Sequence, residues 1–381
     1  MNKIGDHMSK CYIGVSNKAR NIKNIYIGVG GKARRVIKAY IGVGGKARIF
    51  WAGGSIRKWG TATPLSKPRS ELGAAHVGNY ALFAAGMPTI GESDFKSVET
   101  YNASLTKGTA PDFTGSNASG RAVGSQNSSY ALFLASDETT YSYNKSLTVT
   151  KRASAKADPD GRAVAVSFNN YILFAGGYTA GTGISIFDSS LVYTHSSGHS
   201  NIMLDTAATT VGNYAIFGGG RSSRMDGNYY STVEIYNTSF TKSIGTDLSV
   251  ARFDFAAATN GSYAIFAGGF DENIKIVSNV DVYNTSLTKS IGNNLSVSRA
   301  SLTGISIDNY ALFVGGRTTT QNYTNTVDVY DSTLTKTIST ISSNRAYGAG
   351  TVIGNKAIFA GGSSRDSGKL AASDIVDVFV T

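Results

Sequence analysis

The sequence predicts an all-β chain: seven similar four-stranded units closing into a ring, preceded by a short run of β-hairpins. Three observations predict it. An apolar phrase of the form Y-A-L-F, usually followed by two glycines, recurs seven times between Tyr80 and Gly362. The copies recur at a period of about 46, each inside a unit built from β-branched and aromatic runs between turn residues. A different phrase, YIGVGGKAR or a close variant, occurs three times between Cys11 and Arg48 and nowhere else.

The apolar phrase reads YALFAAG at 80–86, YALFLAS at 130–136, YILFAGG at 171–177, YAIFGGG at 214–220, YAIFAGG at 263–269, YALFVGG at 310–316 and KAIFAGG at 356–362. Its phenylalanines are Phe83, Phe133, Phe174, Phe217, Phe266, Phe313 and Phe359. A strand that is apolar throughout is buried on both faces, so this second strand packs between neighbouring units. The glycine pair then marks a place where the backbone turns close to the next unit and no Cβ fits. A polar insertion of variable length follows, then V-D-V-Y (280–283, 327–330) or V-E-I-Y (233–236), then SLTKSIG (286–292) or a variant. Four short strands at this period are the signature of a β-propeller blade.

The apolar run ending in Gly-Gly (176–177, 219–220, 268–269, 315–316, 361–362) and the later Tyr236, Tyr283 and Tyr330 resemble the kelch repeat, over 60–381. The chain departs from kelch where Phe240, Leu287 and Leu334 replace the usual tryptophan, and where Ala85-Gly86 and Ala135-Ser136 replace the glycine pair. The resemblance implies a seven-bladed kelch-like propeller and no particular activity.

Closure is also expected. The last unit stops at DIVDVFVT, 374–381, after its third strand, while IRKWGTATPLSKPR, 56–69, aligns with TKSIGTDLSVAR, 241–252. Residues 55–60 are therefore expected to supply the outer strand of the seventh blade, which leaves no open edge between first and last blades. The domains are then 1–54, a repetitive basic hairpin segment, and 55–381, the propeller.

In the head, Tyr12, Tyr26 and Tyr40 recur at one constant interval, and Gly30-Gly31 and Gly44-Gly45 suit two-residue hairpin turns. Gly28 to Ala33 fits G-x-G-x-x-A, but no helix and no acid about 20 residues on follow, so a dinucleotide site is not expected. A head so short and so rich in glycine cannot bury a core alone. Tandem YIGVGGKAR phrases over 11–50 resemble segments of tail-associated proteins of phages and prophages of Gram-positive bacteria. That resemblance implies an attachment and oligomerisation module, with Tyr12, Tyr26, Tyr40, Arg34 and Arg48 as its candidate contacts to tail or baseplate proteins. A basic solvated linker and a DNA-binding arm are the other readings of this segment.

Charge separates the two parts. Residues 1–60 hold 13 Lys/Arg and one acid, Asp6, a balance of +12; the remaining 23 Lys/Arg and 24 Asp/Glu give −1. Any polyanion surface is therefore the head, and nucleic acid is not the expected partner given its glycine-rich β pattern. Cys11 is the single cysteine, which excludes an intrachain disulfide and a thiolate metal cluster. No apolar run approaches the roughly 20 residues that a membrane-spanning helix needs. MNKIGDHMSK has no apolar core of a secretory signal.

The propeller offers little catalytic chemistry. Kelch-like copper oxidases need a cysteine–tyrosine link, and no cysteine lies in the propeller; the S-x-D-x-G-x-T-W box of sialidases is absent. His195 and His199 read as flanking a turn, and Asp158 to Gly161 lacks further calcium ligands. No enzyme, metal or cofactor is expected. Arg69, Arg121, Arg162, Arg252, Arg299 and Arg345 each stand a short and similar distance before their blade's phenylalanine, and Met203 stands there in the fourth blade. They read either as an electropositive ring at one mouth of the channel or as side chains bonding carbonyls between blades.

Recognition is expected where the blades differ, in the insertions after the second strands. Arg221, Tyr229, Tyr230, Phe270, Asp271, Arg317 and Tyr323 are the candidate ligand-binding residues there, because aromatic and planar polar groups together suit sugar faces or protein epitopes. The expectation is a non-enzymatic phage or phage-derived tail protein of the virion. Its propeller would bind a host-surface glycan or protein and its head would join tail or baseplate proteins and copies of itself. The alternative is a structural or decoration protein without a ligand.

Overall fold

The computed structural model describes residues 11–381 apart from 16–17, 23–25, 30–31, 36–37, 44–45, 53–55, 90–94, 116–117, 119, 156, 158–162, 178–183, 197–203, 223–226 and 367–368. The chain divides into two units, Met1–Arg57 with Thr381, and Lys58–Val380.

The first unit contains three antiparallel hairpins. Cys11–Val15 pairs with Lys18–Ile22, Tyr26–Val29 with Lys32–Arg35, and Lys38–Val43 with Lys46–Ala52. The repeat in sequence is a repeat in register: Ile13 lies opposite Arg20, Ile27 opposite Arg34, and Ile41 opposite Arg48. Tyr12, Tyr26 and Tyr40 all lie on first strands. The expected turn residues at 30–31 and 44–45 lie outside the described residues.

The second unit is a seven-bladed β-propeller of four-stranded antiparallel sheets. Its inner strands are Gly73–Val77, Ala122–Gln126, Val164–Phe168, Ala207–Val211, Ala256–Thr259, Thr303–Ile307 and Ala349–Ile353, for blades 1 to 7. Each touches the next, and Ala349–Ile353 touches Gly73–Val77, so the ring is closed. The outer strand of blade 7 is Arg57–Ala62, beside the third strand Val376–Val380. The strand spans 57–62, where 55–60 is expected from the sequence.

The core lies between blades. At the blade 4–5 junction, Ile216, Val233 and Ile235 pack against Phe266 and Tyr283. In most blades a third-strand tyrosine meets the second-strand phenylalanine edge-on: Phe83–Tyr101 at 5.9 Å, Phe217–Tyr236, Phe266–Tyr283 and Phe313–Tyr330 each at 5.8 Å. Such pairs add ~0.5–1.5 kcal/mol beyond the area they bury. The glycine pair has the role the sequence suggested. A Cβ on Gly315 would stand 2.3 Å from the Arg345 carbonyl oxygen of the next blade, and Gly315 has φ +61°. Its neighbour Gly316 donates its N–H to that same oxygen at 3.0 Å.

Phe240, Leu287 and Leu334, at the turn into the outer strand, also have a local cause. Asn237, Asn284 and Asp331 each accept two backbone N–H groups with Oδ1, from positions two and four further on, closing the turn into the outer strand. Phe240, Leu287 and Leu334 then sit at φ 58°, 62° and 62°. A left-handed non-glycine residue costs roughly 1 kcal/mol. Packing against the preceding blade offsets it: Leu287 joins the blade 4–5 core and Leu334 the blade 5–6 core.

The repeated arginines separate into two classes. Arg69, Arg252, Arg299 and Arg345 share one offset from Phe83, Phe266, Phe313 and Phe359, and all four are buried. Each pairs with an acid on the third strand of its own blade: Glu99 at 2.9 Å, Asp281 at 2.8 Å, Asp328 at 2.8 Å and Asp377 at 2.5 Å. They also donate to carbonyls of their own blade, Arg252 to Phe266 and Arg299 to Phe313. They are structural, as one reading had it, but they bond within a blade rather than between blades. The same acids take the N–H and hydroxyl of a serine three positions before the arginine, as Ser249 does on Asp281 and Ser296 on Asp328. A lysine of the outer strand completes the set, Lys289 at 3.1 Å from Asp281. The tyrosine two positions further along the strand reaches the same incoming connection, Tyr283 to the Thr246 carbonyl at 2.7 Å and Tyr330 to that of Asn293 at 2.6 Å. This staple ties the chain arriving from one blade to the third strand of the next. Burial pushes the Arg252 guanidinium below its ordinary pKa, with Asp281 opposing that shift.

Arg121 is a different position, two places nearer its own phenylalanine, Phe133. It pairs with Glu71 of blade 1 and lies partly exposed. Arg162 and Met203 lie outside the described residues.

Candidate functional site

Two features of the propeller face solvent with polar chemistry: the face carrying the glycine-pair loops, and the central channel.

On the loop face, the residues two positions after the stapled arginines adopt left-handed backbone: Glu71 (φ 55°), Asp254 (φ 54°), Ser301 (φ 55°) and Tyr347 (φ 58°), with Asp205 (φ 54°) in blade 4. Their backbones bond round the mouth: Asp254 N–H to Asp205 O, Ser301 N–H to Asp254 O, Tyr347 N–H to Ser301 O, Glu71 N–H to Tyr347 O. This fixes the starts of the inner strands of blades 4, 5, 6, 7 and 1 relative to one another and carries the loops above them.

Blades 4, 5 and 6 knit their loops into one stack. Tyr229 stacks on Phe253 at 5.3 Å and Phe253 on Phe270 at 5.2 Å. The Arg221 guanidinium lies 4.3 Å from the Phe253 ring centre, and Arg317 lies 4.7 Å from that of Phe270. Arg221 pairs with Asp205 through Nε and Nη2 at 2.8 and 2.7 Å. Arg317 stands 3.6 Å from Asp254, whose carboxylate also accepts the Ser301 hydroxyl at 2.5 Å. Backbone bridges join Arg221 to Tyr229 and Arg317 to Tyr323. Six of the seven candidate ligand residues therefore meet or support this stack: Arg221, Tyr229, Phe270, Arg317, Tyr323 and, through its bond to Gly220, Tyr230. Phe270 is buried within it. Asp271 accepts the N–H groups of Asn273 and Lys275 and so shapes its own turn. Tyr229, Tyr230 and Tyr323 remain partly exposed.

The channel is a cavity of about 430 Å³ walled by the inner strands. One level of its wall is uniformly small: Ala74, Gly124, Ala165, Ala208, Ala257, Gly304 and Gly350. The fold demands this, since a Cβ on Gly304 would stand 2.2 Å from the Ala257 carbonyl oxygen of the neighbouring blade. Two positions on, the same side of each strand carries His76, Gln126, Ser167, Thr210, Thr259, Ser306 and Val352. Cross-blade bonds link several of them: His76 N–H donates to Gln126 Oε1 at 3.3 Å, Gln126 N–H to Ser167 Oγ at 3.3 Å, and Thr259 N–H to Ser306 Oγ at 2.8 Å. Burial holds the His76 imidazole below its ordinary pKa. Among the described residues the lining carries no charged side chain.

No protein-family model matches the chain, and no curated protein matches it. The fold and its surface chemistry therefore carry the functional argument.

Among the described residues no group of three His, Cys, Asp or Glu side chains is arranged to hold a metal, and no helix is long and apolar enough to cross a membrane. His195 lies on the outer strand Tyr193–Ser196 of blade 3; His199 and Asp158 to Gly161 lie outside the described residues. The attachment candidates Tyr12, Tyr26, Tyr40, Arg34 and Arg48 lie on the hairpin strands. Sequence reasoning missed the buried acids Glu99, Asp281, Asp328 and Asp377. A carboxylate inside an otherwise apolar V-D-V-Y strand was the available signal, because a buried acid needs a cation.

Proposed function

We propose that this chain is a tail component of a phage or phage-derived particle whose propeller binds a host-surface ligand, with a cell-wall glycan as the favoured class. Residues 1–54 hold it on tail or baseplate proteins and bring copies of it together. The observation that carries this reading is the loop stack of blades 4 to 6. Three tyrosines, Tyr229, Tyr230 and Tyr323, stay partly exposed on a base already ordered by ring stacking and ion pairs. A contact surface ordered in advance loses little side-chain freedom on binding, and aromatic faces suit sugar rings and protein epitopes alike.

The second reading is a decoration protein without a ligand. The pairing of Arg221 with Asp205 favours it, because that cation is already neutralised within the fold.

Binding of the full chain to Gram-positive cell envelopes separates the two readings. The first predicts saturable binding that falls at least tenfold when Tyr230 and Tyr323 are both changed to alanine, with circular dichroism unchanged. Absence of binding to every envelope tested, alongside incorporation into particles, would leave the decoration role.

A further inference from the structure

The channel wall has one level that the fold dictates and one that it does not. Where Ala74, Gly124 and their counterparts stand, close approach of neighbouring strands requires small residues. Two positions on, an imidazole, an amide, four hydroxyls and one valine follow one another round the ring. Cross-blade bonds account for Ser167, Ser306 and the Gln126 side-chain carbonyl as acceptors, but not for the Gln126 amide donors or the Thr210 hydroxyl.

Two of these groups have unused capacity. Gln126 accepts the His76 N–H with Oε1, which fixes the amide and turns its Nε2 donors away from that bond; Nε2 has no protein partner among the described residues. The Thr210 hydroxyl likewise has none, and both residues line the cavity. Val352 adds an apolar side chain at the same level on blade 7, and Leu302 and Phe255 line the cavity four positions nearer the strand starts. The volume of about 430 Å³ lies within the ~300–1,000 Å³ range of small-molecule sites. A lining without charge disfavours ionic guests, which would lose hydration with no counter-charge to replace it.

We infer that the central channel binds a neutral, hydroxyl-rich small molecule of monosaccharide size, with Gln126 and Thr210 as its polar contacts. This deepens the glycan reading above and rests on it for biological meaning: the loops would meet the polymer while the channel takes a single sugar unit. An oriented amide and a hydroxyl as hydrogen-bonding groups, with apolar side chains in the same lining, match the two kinds of surface a pyranose presents.

The test is titration of the full chain with glucose, galactose and N-acetylglucosamine, and with glucuronic acid and glucose 6-phosphate as charged counterparts, read by calorimetry and saturation-transfer NMR. At least one neutral sugar is expected to bind, at least tenfold more tightly than the charged ones. Gln126→Leu and Thr210→Val should each weaken it tenfold or more. Thr210→Val keeps the side-chain shape and carries the test if Gln126→Leu does not fold. The inference is overturned if no neutral sugar binds at millimolar concentration, if charged sugars bind as well as neutral ones, or if Tyr230→Ala abolishes sugar binding while both channel variants retain it. Envelope binding measured on the same variants keeps the two readings apart. Envelope binding without sugar binding removes the channel site alone, and sugar binding without envelope binding removes the host-adhesion reading alone.

Discussion

Blades 5 and 3 share a four-strand plan and hold their third strands by different means. In blade 5, Asp281 lies opposite Phe266 and receives Arg252, Lys289 and Ser249, while Tyr283 bonds the Thr246 carbonyl. In blade 3 the position opposite Phe174 is Ser185, and Phe187 stands where blade 5 has Tyr283. The ring pair survives the exchange, Phe174 to Phe187 at 6.0 Å and 88°, against 5.8 Å and 88° for Phe266 and Tyr283. Both polar ends of the staple are gone. The apolar contact between blades is thus the common requirement of the ring, and the charge staple is a separate device used in blades 1, 5, 6 and 7.

The largest way to test that contrast is to remove the acid. Asp281→Ala leaves Arg252 and Lys289 buried or half-buried without a counter-charge and should cost about 3–5 kcal/mol in urea unfolding of the full chain. Ser185→Ala at the matching position should cost less than about 2 kcal/mol. Similar values at the two sites would mean that the staple adds nothing beyond packing. A double change, Arg252→Met with Asp281→Leu, should recover most of the loss, since well-packed apolar replacements of a buried pair are often neutral.

A smaller effect is expected from close approach between inner strands. Gly304→Ala in blade 6 places a methyl against the Ala257 carbonyl and should cost about 1–3 kcal/mol. Blade 3 already carries Ala165 at that level. A neutral Gly304→Ala would show that the blade 5–6 approach is no tighter than that around blade 3.

Alkaline pH sharpens the contrast further. Burial, with neighbouring acids, raises the pKa of Tyr101, Tyr283 and Tyr330 above the ordinary tyrosine value. Above pH about 10 the unfolded chain gives up these protons and the folded chain keeps them, so stability falls as pH rises, by up to ~1.4 kcal/mol per pH unit for each tyrosine. Below about pH 9 these groups contribute no slope. Melting temperature from about pH 7 to about pH 11 should be level and then decline; Tyr283→Phe should make the decline shallower. A melting temperature unchanged across that range would contradict the burial of these hydroxyls.

What the sequence revealed follows from what repeats. Seven apolar phrases in phase made the ring legible, and the likeness of 56–69 to 241–252 located the outer strand of blade 7 near Arg57. The glycine pair was legible because it recurs in five blades, and in blades 4 to 7 its second member donates to the carbonyl of the arginine that opens the next blade. The staple was harder. Arg121 and Arg162 resemble the stapled arginines until spacing is counted position by position, which sets both two places nearer their phenylalanines. The acids were hidden inside strands that read as apolar. The loop stack was legible only as separate residues: Tyr229, Phe270, Arg221 and Arg317 stood out in the variable insertions, but Phe253 did not, and no local pattern records which side chains meet across a junction between blades. The channel site has the same cause: the alternation of Ala74 with His76, or Ala208 with Thr210, is visible in sequence, but which alternate residues face the axis depends on ring closure.

The most direct measurement is native-state hydrogen exchange on the full chain, comparing the third strands Val280–Asn284 and Ile184–Phe187. If the staple fastens blade 5, Val280–Asn284 exchanges only through global unfolding in the native chain and shifts to faster, local opening in Asp281→Ala, while Ile184–Phe187 keeps its rates. Equal protection of the two strands, unchanged by Asp281→Ala, would contradict it.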